Sequence, residues 1–425
     1  MHASTPFPYY IGPWLNAFTL LASWSSMTRP VDASRIRMPS VRNQAWTYVK
    51  DPMGAFVANK AVMLKDIDMP ICENGSMVVR ALATGINVMF RARMQSGKPS
   101  NEVQETFAWW KPGDTFTAEM VGEVVESKAK GCKSGDWIQG SYKLQKYFVA
   151  KGDGSDTPFK IPPTKLDKSI SVEKQFAMRT GISALLAIDY AYVSSAADYK
   201  ISAPKVDVPR FLLSALSKII PCGGCCRPSS FYSYTDKVCV VTAASSAVGV
   251  IAGQFLKIKG CKKVIGITST KDKAAQLLEE GFFDVMIARK EEDVSERLKA
   301  EAPEGVDFNF EMAGGKTFQA VLDVMNKFGK VVVVGDMENS DKKAADHEGV
   351  KIADACVGKS VEISGFFIAD YFAVFPLALM RMKQLEKSGK IRSLETVFTG
   401  FESWGKALES VMSSSKIGQT VLKVV

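Results

Sequence analysis

Between Lys237 and Lys273 the chain reads KVCVVTAASSAVGVIAGQFLKIKGCKKVIGITSTKDK. Val238–Thr242 has the length and β-branched composition of a buried strand. Small residues follow, and Gly249 opens a helical pattern of Val250, Ile251, Phe255, Leu256 and Ile258. Lys263–Thr268, with Gly266 inside it, is a second strand-like run that ends in Thr268, Ser269, Thr270 and Lys273. Strand, small-residue turn, helix, strand is the unit that holds a dinucleotide pyrophosphate, because a helix N-terminus offers unpaired N–H groups and the positive end of a dipole. The frame is Ala243-x-x-Ser246-x-x-Gly249, which places cofactor contacts at Ala243, Ser246, Ala247, Val248 and Gly249. Ser246 is the irregular member. A Cβ at the middle of the turn costs close approach, although its hydroxyl could donate to a phosphate oxygen. The competing reading of the stretch is an ordinary buried strand-to-helix turn.

Sites for NAD carry an acidic residue for the ribose diol at the end of the second strand. Here Gly266 is followed by Thr268, Ser269 and Thr270 and by Lys271 and Lys273, which supply hydroxyls and two cations instead. They suit a 2′-phosphate, so NADPH is expected as cofactor over NADH; otherwise Ser269 or Thr270 is simply a helix N-cap.

Something must position these residues. From Lys237 onward strand-like runs alternate with helical ones: Val238–Thr242, Lys263–Thr268, Asp284–Ile287, Val306–Glu311, Lys330–Gly335 and Val361–Ser364, with helices at Lys271–Glu280, Val294–Ala302 and Thr317–Phe328. That rhythm predicts one doubly wound parallel sheet, with Gly335 as a further cofactor contact. From Asn43 to about Thr164 short alternating segments are divided by turn signals such as Asn74-Gly75 and Lys111-Pro-Gly-Asp114, which suggests a small β-barrel. A helical pattern over Glu173–Ala191 joins the two, and another covers Phe375–Ser388. Ser194–Thr235, holding prolines, a CGGCC cluster and a Ser/Tyr run, fits neither pattern and is expected to be an insertion.

The net charge of +9 on 425 residues is moderate, and no basic block interleaved with aromatics is present, so nucleic acid is not expected as a partner. The eight cysteines are scattered, which suits a reducing compartment better than a disulfide framework. With two histidines, an imidazole zinc site is not expected. Residues 1–42 carry no charge before Arg29 and then four arginines (29, 35, 37, 42) against Asp32. They are read as a leader or disordered extension, the apolar run Tyr9–Ala22 being too short to span a bilayer. No membrane is expected, and the location is cytoplasmic, or mitochondrial if the extension is a leader.

At these residues the chain resembles the zinc-independent medium-chain dehydrogenase/reductases, in particular the branch of prostaglandin reductases, leukotriene B4 12-hydroxydehydrogenase and plant alkenal double-bond reductases. The resemblance runs from about Asn43 to Val425 apart from the insertion. It rests on Asn74-Gly75, Phe90-Arg-Ala-Arg-Met94, Gly122-Glu-Val-Val-Glu-Ser127, Gly181-Ile-Ser-Ala184, the 243–249 turn, Glu311-Met-Ala-Gly-Gly315, Phe328-Gly-Lys330, Gly365-Phe-Phe-Ile-Ala-Asp-Tyr371 and Gly400-Phe-Glu402. It implies an α/β chain of two domains: a GroES-like β-barrel over 43–176, completed by 367–425, and a Rossmann domain over 177–366 with the insertion at about 194–235. It also implies NADPH in the cleft between them and a homodimer.

Zinc alcohol dehydrogenases of the wider superfamily have Gly-His-Glu where this chain has Thr117-Ala118-Glu119, so that ligand is missing. Metal-independent hydride transfer to the carbon–carbon double bond of an enal or enone is the expected reaction. Hydrogen-bond donors would stabilise the enolate, and the resemblance makes Tyr371 the expected donor; the other reading of Tyr371 is aromatic packing. Four departures stand out: Ser246 in the turn, Met89 for a substrate-side tyrosine, Lys416 for an asparagine against the cofactor, and Gln276 for a tyrosine. They keep two alternatives open, a quinone oxidoreductase and a catalytically weak nucleotide-binding protein.

Overall fold

The computed structural model describes residues 42–50, 56–94, 109–157, 160–191, 233–339, 346–347 and 349–424. The expected extension at 1–42, except Arg42, and the insertion up to residue 232 lie outside them.

The N-terminal part is antiparallel. Strands β1 (Asn43–Tyr48) and β2 (Val62–Ile67) pair with each other around a short helix, α1 (Ala58–Ala61). Five more follow: β3 (Ser76–Ile86), β4 (Thr117–Ser127), β5 (Trp137–Lys143), β6 (Tyr147–Lys151) and β7 (Thr164–Lys165), with the helix α2 (Met89–Arg93) after β3. β3 is buried along most of its length, and in its middle Arg80 faces Glu123 of β4 in register and pairs with it at 2.5 Å. The chain's last strands finish this sheet, β14 (Glu395–Thr399) and β15 (Gln419–Lys423) giving the order β14-β15-β3-β4-β5-β7, with β6 on β3.

The second sheet is parallel throughout. Its strands are β8 (Val238–Val241), β9 (Lys263–Thr268), β10 (Val285–Ala288), β11 (Val306–Glu311), β12 (Met325–Val333) and β13 (Glu362–Gly365), in the order β10-β9-β8-β11-β12-β13. This is the doubly wound arrangement expected from the sequence, with its switch point between β8 and β11. Covered on both faces, the central strand β8 has no polar side: Cys239 and Val241 join one core, Val238 and Val240 the other. Each buried Val, Ile or Phe contributes about 1.5–3 kcal/mol.

α3 (Val172–Ala191) is the beam between the sheets. Val172 and Phe176 pack into the barrel with Ala83 and Val121, while Ile182 to Ala191 enter the core of the parallel sheet. The domain boundary expected at 176/177 therefore falls inside one unbroken helix. The return to the barrel also comes later than 367. Ala378 and Met382 of the helix Phe375–Lys387 and Ile391 are buried in the parallel-sheet core, and the chain rejoins the barrel at β14.

Candidate functional site

The site is built where β8 and β11 end. Thr242 Oγ1 donates to Glu311 Oε1 at 3.0 Å and accepts from the N–H groups of Met312 and Ala313. Glu311 also accepts from Ala313 N and Gly314 N, both at 2.7 Å, and from Asn309 Nδ2 at 2.8 Å. Burial pushes its carboxyl up to about 7 against the pull of those donors. The switch point is thus held open by a polar network with no exposure to water.

The turn follows. Ala243 takes φ 48°, a left-handed conformation a glycine would adopt without strain. A Cβ on Gly249 would lie 2.6 Å from Ala243 O and 2.8 Å from Ala244 Cα, both backbone, so the last position of the frame must be glycine for the helix to start against the turn. Ser246 resolves differently from the expectation. Its φ of −73° asks for no glycine, and its Oγ accepts from Gly249 N at 3.0 Å as the N-cap of α4 (Ala247–Ile258). The hydroxyl serves the helix. The N–H groups of Ala247 and Val248 meet no acceptor among the described residues, which leaves donors at the positive end of the helix dipole.

The C-terminal segment closes over this turn. Gly418 N donates to Ser245 O at 2.8 Å, and Thr268 Oγ1 donates to Ser245 Oγ at 2.8 Å, tying β9 to the turn. Gly418 sits at φ 68° with a Cβ position that would run into the Leu394 carbonyl. Two lysines converge here. Lys273, buried at the start of α5 (Lys271–Glu279), donates to Ser414 O, and Lys416 donates to Gly418 O at 2.8 Å. Neither meets a carboxylate among the described residues. Burial, with Lys273 nearby, lowers Lys416 from 10.5 to about 8; burial, Lys290 and Arg289 lower Lys273. A buried and a partly buried cation with no carboxylate beside them among the described residues, next to unpaired helix N–H groups, suit a phosphate.

Thr270 occupies the N-cap of α5 without a side-chain capping bond, and Ser269 is buried beside it, accepting from Lys290 N through its carbonyl. Gly335 lies just past β12, its N–H on Glu311 O at 3.3 Å. Gly266 stands apart: a Cβ there would press on Met286 Sδ and lie 2.9 Å from a Phe283 ring atom, so glycine at this position serves packing. The structure therefore brings together Ala243, Ser246–Gly249, Thr268, Ser269, Lys273 and Lys416. Arg289 is a cation the sequence reading missed. It follows β10 and pairs with Glu338 at 3.2 Å, and only the fold brings that loop alongside Lys273.

Tyr371 belongs to the other half. It lies on the 3₁₀ turn Ile368–Val374 after β13, stacked on Phe366 at 4.8 Å and edge-on to Tyr190 at 5.7 Å. Met89 begins α2, whose next residue, Phe90, is buried among Trp110, Phe116 and Trp404. Among the described residues no three His, Cys, Asp or Glu side chains converge as metal ligands would.

Residues 44–157 match the family model described as the N-terminal domain of oxidoreductase, and residues 247–384 the one described as zinc-binding dehydrogenase. The chain belongs to the medium-chain dehydrogenase/reductase family. It is 29% identical over 391 residues to an NADP(+)-dependent 2-alkenal reductase of Nicotiana tabacum, covering 88% of this chain and 99% of the relative. An NADPH-dependent curcumin reductase of Escherichia coli is 25% identical over 387 residues, covering 90% of this chain and 97% of the relative. The crystal structure of CurA from Vibrio vulnificus superposes with a TM-score of 0.71 at 20% identity over 90% of this chain and 99% of that one. The family fold accounts for the two sheets joined by α3 and for the C-terminal strands that return to the barrel.

Proposed function

We propose that this medium-chain dehydrogenase/reductase is an NADPH-dependent reductase of the carbon–carbon double bond of enals and enones. The chain is an NADP-dependent oxidoreductase, and its cofactor is NADPH. The observation that carries the reading is the pairing of the unpaired N–H groups at a helix N-terminus with two lysines, one buried and one partly buried, that meet no carboxylate among the described residues. Ala247 N and Val248 N would hold the pyrophosphate, while Lys273, with Thr268, Ser269 and Thr270 about it, would hold the 2′-phosphate. Lys416 would close over the phosphates from the C-terminal side. When bound, the cofactor supplies a hydride to the acceptor's β-carbon.

The protein's own part is to accommodate the charge that moves onto the acceptor oxygen. Tyr371 is the proposed hydroxyl donor to that oxygen; its stacking on Phe366 would orient the ring, and the α-carbon would take its proton from water. The choice of enals and enones over quinones is supported by the named activity of the tobacco relative.

The test is to follow NADPH oxidation by purified protein against 2-alkenals, enones and quinones, with NADPH fluorescence titrated in parallel. Turnover with a 2-alkenal or enone is expected, and Tyr371→Phe should lower kcat about ten- to a hundredfold without changing NADPH affinity. Oxidation by quinones alone would replace the substrate class, and binding without oxidation by any acceptor would remove the catalytic reading.

The two lysines also predict a pH dependence. Free Lys416 loses its proton at about 8. A bound phosphate stabilises the ammonium and raises that value, so binding takes up a proton above pH 8. NADPH affinity should be flat between about pH 6.5, above the second ionisation of a phosphate monoester, and about pH 7.5, and fall as pH rises further, by up to tenfold per pH unit. Calorimetry in buffers of different ionisation enthalpy should show proton uptake that Lys416→Met abolishes.

A further inference from the structure

From Gln175 to Ile188 the helix Val172–Ala191 carries one charged residue, Arg179, among apolar and small neighbours. Its side chain is 18% exposed, and its Nε lies 2.9 Å from Glu119 Oε1. Gln139 Nε2 donates to the same oxygen at 2.8 Å. The guanidinium carbon stands 5.3 Å over the ring of Phe375. One edge of the fork is thereby engaged, while its two terminal amino groups meet no acceptor among the described residues.

Position decides what that open edge faces. The next residue, Thr180, donates through its hydroxyl to Gln419 Oε1 at 2.8 Å, and Gln419 adjoins the Gly418 that bonds the phosphate turn. One residue further, a Cβ on Gly181 would lie 3.3 Å from Ile251 of the helix behind that turn. Phe375 continues from the 3₁₀ turn that bears Tyr371, after the strand Glu362–Gly365. That strand belongs to the half of the sheet across the switch point from Lys273, the half that receives the reactive end of a dinucleotide. Glu119 is on the barrel wall, in Thr117–Ser127. Arg179 thus lies where the barrel meets the reactive half of the cofactor sheet.

We propose that Arg179 contacts the substrate, its terminal N–H groups binding the acceptor's carbonyl oxygen, and that Glu119, braced by Gln139, is the positioning residue that aims it. This rests on the conjugate reduction proposed above. As the β-carbon gains hydride, the electron pair of the double bond moves to the oxygen, where a cation beside a low-dielectric aromatic wall acts most strongly. A planar fork with one edge tied to a carboxylate keeps its other N–H groups in a constant direction. Tyr371 and Arg179 would then be two donors to one oxyanion.

The experiment uses the full chain with saturating NADPH and a 2-alkenal as acceptor, comparing wild type with Arg179→Ala, Arg179→Lys and Glu119→Gln. Arg179→Ala should lose about 10²–10³-fold in kcat with NADPH affinity within about threefold of wild type. Millimolar guanidinium chloride, against a sodium chloride control, should recover about tenfold of that loss, which a purely structural ion pair would not show. Glu119→Gln should cost about tenfold and gain nothing from guanidinium. Turnover of Arg179→Ala near wild type would overturn the proposal, as would a loss that follows NADPH affinity and resists rescue. Should Arg179→Ala fail to fold, Arg179→Lys decides: a lowered kcat with unchanged NADPH affinity supports substrate contact, and wild-type kcat and KM refute it. A wild type that binds NADPH yet reduces no 2-alkenal or enone defeats the underlying reaction, and this proposal with it, before any variant is compared.

Discussion

Lys273→Ala is expected to weaken NADPH binding about a hundredfold while leaving NADH binding within about threefold. The side chain is buried at the head of Lys271–Glu279, bonded to the Ser414 carbonyl, with no carboxylate to neutralise it among the described residues. Such a cation contributes little to the empty protein and is destabilised by burial and by Lys290 and Arg289. Its interaction with a 2′-phosphate would be charge-assisted and shielded from water, in the range of about 1.5–3 kcal/mol or more. NADH has no 2′-phosphate, so the same substitution removes nothing from it and even relieves the repulsion with Lys416. Fluorescence titration with both nucleotides gives the ratio directly. Equal losses for the two would move Lys273 away from the 2′-phosphate.

Trp404→Ala should destabilise the protein by about 3–5 kcal/mol. Trp404 is fully buried, with ring centroids 5.4 Å from Trp46, 5.0 Å from Phe116 and 5.3 Å from Phe90. Its indole N–H has no partner among the described residues, so the cost comes from lost contact and an unfilled cavity rather than from a broken hydrogen bond. The residue begins the helix Trp404–Met412 and thus ties the C-terminal segment to β1 and to Met89–Arg93, whose Phe90 it supports. Chemical denaturation should show a lower midpoint with an unchanged slope. KM for the acceptor should rise more than NADPH affinity falls, because the helix bearing Met89 loses its footing while Lys271–Glu279 does not. A midpoint within error of wild type would show that this cluster does not hold the barrel together.

The parallel sheet was legible because most of its strands read as short apolar runs between helical ones, and right-handed crossovers turn that rhythm into one parallel sheet. Where tertiary pairing competed with spacing, the spacing misled. Val321, Leu322, Val324, Met325 and Phe328 continue a helical period, yet the helix stops at Asp323, and Met325 already pairs in register with Val306 at the start of β12. The phosphate turn was legible from its small residues. The role of Ser246 was not, because whether a serine caps the helix or faces a ligand depends on backbone angles that spacing does not set. Arg289 and Arg179 become site residues only through the fold, which carries the loop after β10 to Lys273 and the middle of α3 to Glu119. Arg179 did leave a trace in the sequence, a lone charge in a buried helical stretch.

The most direct test of the proposed reaction is to follow the label from NADPH deuterated at the transferable C4 position into the product of a 2-alkenal, by mass spectrometry and proton NMR. The expected result is the saturated aldehyde with one deuterium on the β-carbon and a solvent-derived hydrogen on the α-carbon. An allylic alcohol labelled at the carbonyl carbon, or oxidised cofactor with the alkenal unchanged, would contradict it.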